Sequence, residues 1–200
     1  MKTRTKRILL IALVPLGGIF GLFAFNIYYG LHYAHQHCIV QTGMAFSIYA
    51  GEHNGNLPFS TNGFGNALLL LAGTDSTNDH IGGFIGCLCG PGDDGHLYRE
   101  ALTNHSILPE DQCSRVYIQG LNEDKNDPQI CILFDRNSCP GGDHGRSPWR
   151  HRVREVSMLD GSMQVISDEK WPEFSRKQVE LLVAAGFSRT NALYFYPAAK

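Results

Sequence analysis

The sequence predicts an α+β chain: one long N-terminal helix, transmembrane over its first part, continuing into a domain with a small antiparallel β-sheet and a loop-rich middle. Three observations carry this reading. Residues Ile8 to Leu31 hold no charged side chain, and about 20 apolar residues suffice for a helix to cross a bilayer. Four later segments cluster or alternate β-branched and apolar residues, and Asp160-Gly161 joins the last two, a hairpin signal because these residues tolerate positive φ. The 22 glycines and 9 prolines concentrate between Asn54 and Pro148, which puts turns there rather than long regular elements.

Charge orients the apolar run. Lys2, Arg4, Lys6 and Arg7 precede it and no Lys or Arg follows until Arg99, so the positive-inside rule leaves the N-terminus in the cytoplasm. The expected division is a basic tail over 1–7, a transmembrane helix over 8–31 and an extracytoplasmic globular domain over 32–200, anchored in a bacterial inner membrane with the domain on the periplasmic side. Tyr28, Tyr29 and Tyr33 suit an interfacial aromatic belt, and membrane lipid is the first expected partner. The run exceeds the apolar core of a signal peptide, and no small-x-small cleavage site follows it. Pro15, Gly17, Gly18 and Gly21 are residues that membrane helices tolerate.

Beyond the run, Cys38, Thr42, Ala45 and Tyr49 share one helical stripe with Ile39, Phe46 and Ile48 beside it, so the helix is expected to continue to about Glu52. From Lys6 it would measure about 70 Å at 1.5 Å per residue. Asn54-Gly55 supplies the stop and Pro58 prevents resumption. Short helices are expected at Asn66–Ala72 and Leu97–Asn104, and strands at Arg115–Gln119, Gln129–Asp135, Val153–Leu159 and Met163–Ser167. A final helix is expected to start with Ser175 as N-cap and Gln178 closing a capping box, to turn Val179, Leu182 and Val183 inward, and to end at Gly186. The tail Tyr194-Phe195-Tyr196 is expected to pack back on the domain.

A chain of 200 residues leaves roughly 165 after the anchor, enough for one domain with a real core. A net charge of −2 with pI near 6.5 supplies no basic field for nucleic acid. The six cysteines, Cys38, Cys87, Cys89, Cys113, Cys131 and Cys139, are disulfide candidates, because cystines are the default outside the cytoplasm. Six thiols permit 15 complete pairings, and spacing does not choose among them. Cys87 and Cys89 are too close in sequence to bond each other easily, so each is expected to pair elsewhere.

Other clusters were weighed for chemistry. His32, His35 and His37 beside Cys38, and Cys87-Leu88-Cys89 near His80 and His96, carry metal-ligand residue types. Cys-x-Cys is weaker than the C-x-x-C spacing of zinc sites, and cystines explain these thiols better. Oxygen-rich stretches at Asp75–Asp79, Asp93-Asp94 and Asn122–Asp127 offer calcium ligands without the spacing of an EF-hand, and solvated turns explain them. Asp135, Asp143, His144 and Asp160 could converge as an acid-base set, although turn duty accounts for them. No P-loop, dinucleotide fingerprint, H-E-x-x-H or G-x-S-x-G occurs, which removes the usual starting points for nucleotide, zinc-protease and hydrolase chemistry.

The stretch from Gly43 through Tyr49-Ala50-Gly51-Glu52-His53-Asn54-Gly55-Asn56-Leu57-Pro58, with His144 and then the strand Val153–Leu159 ending in Asp160-Gly161, resembles the pilin-like proteins of type II secretion and type IV pilus systems. It is most similar to the prepilin-like family of planctomycete-type bacteria. The two matches cover roughly a quarter of the chain. The resemblance implies a non-enzymatic, membrane-anchored pseudopilin-like structural or assembly protein, without a cofactor apart from calcium in some relatives. It also implies other pilin-like or secretion-system proteins as partners, held through the N-terminal helix. The chain lacks the Gly-Phe cleavage motif and the acidic residue that open the helix of processed pilins, which implies an uncleaved protein. The competing reading from the His and Cys clusters is a membrane-tethered extracytoplasmic metal- or thiol-dependent enzyme.

Overall fold

A computed structural model describes residues 18–25, 39, 42–73, 100–101, 103–104, 106–113, 115–140 and 151–197. The chain divides into two compact units, Met1–Gln36 and His37–Lys200. In the first, residues 18–25 form helix α1. In the second, helix α2 (residues 42–52) and helix α3 (Phe64–Leu69) precede strands β1 (Arg115–Tyr117), β2 (Cys131–Asp135), β3 (Cys139–Pro140), β4 (Arg152–Met158) and β5 (Met163–Ser167). Helices α4 (Trp171–Ala184) and α5 (Arg189–Phe195) close the chain.

The α+β class stands, but the transmembrane helix does not. Among the described residues no helix is long and apolar enough to cross a membrane. A run without charge is necessary for a span but not sufficient, and Pro15, Gly17, Gly18 and Gly21 lower the mean hydropathy of this one. The placement as a single-pass inner-membrane protein with an extracytoplasmic domain rested on that span and is corrected with it.

The sheet is antiparallel throughout. β1 pairs β2, β2 pairs β4, and β4 also carries β5 and the two-residue β3. Strand residues alternate between faces, so the register sorts the side chains. Arg115, Tyr117, Leu133, Asp135, Glu155 and Ser157 share one face, whereas Val116, Phe134, Arg154 and Val156 share the other. Helix α2 covers the first face, with Phe46 stacked on Tyr117 at 4.7 Å between ring centroids. Helices α4 and α5 cover the second, where Phe134 meets Trp171 at 5.4 Å and Tyr196, just past α5, at 4.9 Å. The core therefore lies in two layers, one on each side of the sheet.

Strand β2 contains an irregularity: Leu133 pairs with Ser157, but Cys131 pairs with Met158. Strict alternation would have set Cys131 on the α2 side with Leu133. The extra residue Ile132 sends it to the α4 side, as a β-bulge does. There the Cys131 amide donates to Gln178 Oε1 at 2.8 Å, and Gln178 Nε2 donates to the Gln129 carbonyl at 3.0 Å. Gln178 is thus a buried bridge, not the partner of a Ser175 capping box. Helix α4 begins five residues earlier than expected, with Lys170 and not Ser175 at the N-cap position and Pro in its first turn, where the missing amide proton costs nothing.

The stop after α2 forms as the sequence implies. Asn54 and Gly55 have φ of 55° and 76°, and the Gly55 amide donates to the Ala50 carbonyl at 2.8 Å. A Cβ at Gly55 would also collide with the Asp124 carboxylate. The Asp160-Gly161 hairpin forms too, with a different turn: only Gly161 has positive φ, at 79°. The Met158 amide bonds the Ser162 carbonyl at 2.8 Å, leaving a three-residue loop instead of a two-residue type I′ turn. The aromatic tail packs back, with Tyr196 fully buried. Of the expected Leu97–Asn104 helix, residues 100, 101, 103 and 104 are helical and the other four lie outside the described residues.

Candidate functional site

Two places in the second unit gather polar chemistry. The first is a buried ion cluster under α2. Cross-strand pairing sets Arg115 opposite Asp135 and carries Glu155 alongside. Arg115 Nε donates to Asp135 Oδ1 at 3.2 Å, and its Nη2 stands 3.7 Å from Glu155 Oε2. Asp135 Oδ2 also accepts the Glu155 backbone amide at 2.9 Å. The Arg115 side chain is 0% exposed, so one guanidinium faces two carboxylates in a site closed to water. Such a cluster ties three strands together from within the domain.

The second place is a cleft of about 260 Å³ on the opposite face of the sheet. Its floor is apolar, built from Phe64, Val116, Phe134 and Trp171, and Phe195 and Pro197 add to its wall. Two cations and one phenol border it: Arg136, Arg154 and Tyr194. Arg154 is set by strand β4, with its guanidinium carbon 4.5 Å over the Trp171 ring and Nη1 bonded to Asp168 Oδ1 at 2.7 Å. Arg136 is held by donations to the carbonyls of Cys113 at 2.9 Å and Glu110 at 2.5 Å. Glu110 organises the rim. Its Oε1 accepts the Phe64 amide at 2.7 Å, serving the N-cap role that Gly63 has no side chain to fill. Its Oε2 accepts the Tyr194 hydroxyl at 3.2 Å.

The candidates singled out in the sequence fare differently. Cys38, Cys87, Cys89, His32, His35, His37, His80, His96, Asp143 and His144 lie outside the described residues, as does the side chain of Cys139. Among the described residues there is no disulfide, which corrects the expectation of cystine bridges for Cys113 and Cys131. Cys131 is a free buried thiol donating to the Leu133 carbonyl at 3.5 Å, and the buried Cys113 thiol donates to the Pro109 carbonyl at the same distance. That expectation came from the compartment, so it shared the fate of the span. Asp135 and Asp160 do not meet in an acid-base site. Asp135 belongs to the ion cluster, and Asp160 Oδ1 accepts the Ser162 amide at 2.8 Å inside the hairpin.

The oxygen-rich stretch at Asn122–Asp127 ties its own turn. Asn122 Nδ2 donates to the Asn54 carbonyl and to Asn56 Oδ1, Asn126 Oδ1 accepts the Asn122 amide, and Asp127 Oδ1 accepts the Gln129 amide. Among the described residues no group of three His, Cys, Asp or Glu is arranged to hold a metal. Two functional groupings escaped the sequence reading, namely the ion cluster and the cleft. The signal for the first was a charged residue inside each of three strand segments otherwise rich in apolar residues, Arg115, Asp135 and Glu155.

Burial sets the titration of the interior. It raises Tyr117 and Tyr196 well above the ordinary phenol value of 10.0, with nearby Tyr49 adding for the first and Cys131 for the second. It pushes the Cys131 thiol up to about 12, against bonds from Tyr196 and Leu133 that lower it. A thiol so raised is protonated at neutral pH and is not a nucleophile. All three groups bind their protons more tightly folded than unfolded. Their stabilising effect is complete below the unfolded values, 9.0 for the thiol and 10.0 for the phenols, and is lost as pH climbs through the folded ones. Urea midpoints are therefore expected to fall above about pH 9. A spectrophotometric titration should show Tyr117 and Tyr196 ionising only as the fold is lost. Reversible ionisation of all eight tyrosines in the folded protein would contradict this.

No known family profile, characterised protein or solved structure shows a significant match to the chain.

Proposed function

We propose that the chain is a non-enzymatic, pilin-like structural or assembly module of the pseudopilin kind, working beside a type II secretion or type IV pilus-like system. Its partners in this reading are related proteins that pack laterally against its N-terminal helical segments. The observation that supports it is the two-sided character of α2. One side seats Ala45, Phe46 and Ala50 against the sheet. The other leaves Met44 and Ile48 61% and 50% exposed, one helical turn apart and so on a common stripe. In α1, Ile19, Phe20, Leu22, Phe23 and Phe25 are all exposed as well. Apolar stripes of this kind gain free energy when a neighbouring helix covers them, at about 25 cal/mol per Å² removed from water.

The test is the association state of the full-length chain. Sedimentation and chemical crosslinking are expected to reveal assemblies, and the double substitution Met44→Glu with Ile48→Glu is expected to shift them at least tenfold toward monomer without lowering the urea midpoint. A wild-type chain that sediments as a monomer at every concentration reached would reject the reading.

A further inference from the structure

We infer that the cleft between Trp171 and Tyr194 binds a small aromatic carboxylate, a function separate from lateral packing by α2. Three observations converge on that ligand class. The first is size. A cavity of about 150 Å³ accommodates benzene, and the cleft's 260 Å³ leaves room for one ring and a short acidic arm. It also falls below the range of roughly 300–1,000 Å³ common for larger ligands.

The second is the lining. Phe134 and Trp171 present buried aromatic surface, and Tyr194 stands at the rim with its hydroxyl anchored on Glu110. A flat apolar ring gains most against such walls, through offset or edge contacts.

The third is charge. Two guanidinium groups border the cleft, and each has donors left over after its internal bonds. Arg154 uses Nη1 for Asp168, while its Nε is buried and has no hydrogen-bond partner among the described residues. Arg136 uses Nε and Nη2 on backbone carbonyls, so Nη1 takes no part in those bonds. The partners of Arg136 are neutral carbonyls, and the Glu110 carboxylate on the same rim is engaged by the Phe64 amide and the Tyr194 hydroxyl. A buried donor without a partner is costly, and a carboxylate is the acceptor whose planar pair of oxygens matches a guanidinium. The geometry thus asks for one negative charge on a ring-sized apolar body.

The experiment uses the full chain carrying Trp149→Phe, which leaves Trp171 as the single fluorophore of its kind, because the chain has two tryptophans. Titration with phenylacetate is expected to change Trp171 fluorescence saturably, whereas uncharged phenylacetamide should bind at least about tenfold more weakly, since hydrogen bonds between charged partners are the stronger ones. Arg136→Gln and Arg154→Gln should each weaken phenylacetate by a similar factor while leaving phenylacetamide unchanged. Arg136→Gln decides the matter if Arg154→Gln, by losing Asp168, perturbs the fold. No saturable change with phenylacetate, equal binding of the acid and the amide, or unaltered binding by Arg136→Gln would each overturn the inference.

Discussion

Replacing Arg115 by methionine is expected to cost the fold about 3–5 kcal/mol, the range found when one member of a buried ion cluster is removed. The magnitude follows from what remains. Asp135 and Glu155 would be left facing each other beneath α2 without the guanidinium that now bonds one at 3.2 Å and stands 3.7 Å from the other. Domains of this size hold only about 5–15 kcal/mol in total, so the variant should unfold at markedly lower urea. The triple change Arg115→Met, Asp135→Asn and Glu155→Gln separates charge from shape. It removes all three charges and keeps an oxygen to accept the Glu155 amide, and it is expected to recover most of the loss, because uncharged replacements of buried ion clusters are often neutral or better. If the triple variant were as unstable as the single one, the cause would be packing and not electrostatics.

Truncating Phe46 to alanine is expected to cost about 3–5 kcal/mol, the usual loss for a buried aromatic. Phe46 is 1% exposed and stacks on Tyr117, whose hydroxyl donates to the Pro58 carbonyl at 2.9 Å in the segment just after the helix stop. One ring therefore fastens both α2 and its exit to the sheet. Hydrogen exchange should show the amides of α2 losing protection more than those of β4. Uniform loss across the domain would mean that α2 and the sheet open only as one unit.

Legibility of the sequence followed how local the cause was. The Met163–Ser167 strand, the Asn54-Gly55 stop and the end of α4 at Gly186 were readable, because each depends on alternation or on a backbone conformation that glycine or asparagine allows. The start of α4 was misplaced because Ser175 and Gln178 have the spacing of a capping box, and only the tertiary position of Cys131 and Gln129 reveals that Gln178 serves another segment. The ion cluster joins residues 20 and 40 positions from Arg115, and the cleft joins Phe64 to Tyr194. No window along the chain contains those pairings. The transmembrane reading failed differently. It rested on the length of an apolar, charge-free run, and among the described residues no helix is long and apolar enough to cross a membrane.

The single amide of Gln178 has a broader consequence. By reaching into the kink of β2 and occupying both a donor and an acceptor there, it acts as a gauge for the frame in which that strand is laid down. A strand slipped by one residue would present no matching groups, and the amide would be stranded in an apolar interior. Helix α4 thereby proofreads a sheet to which it does not belong.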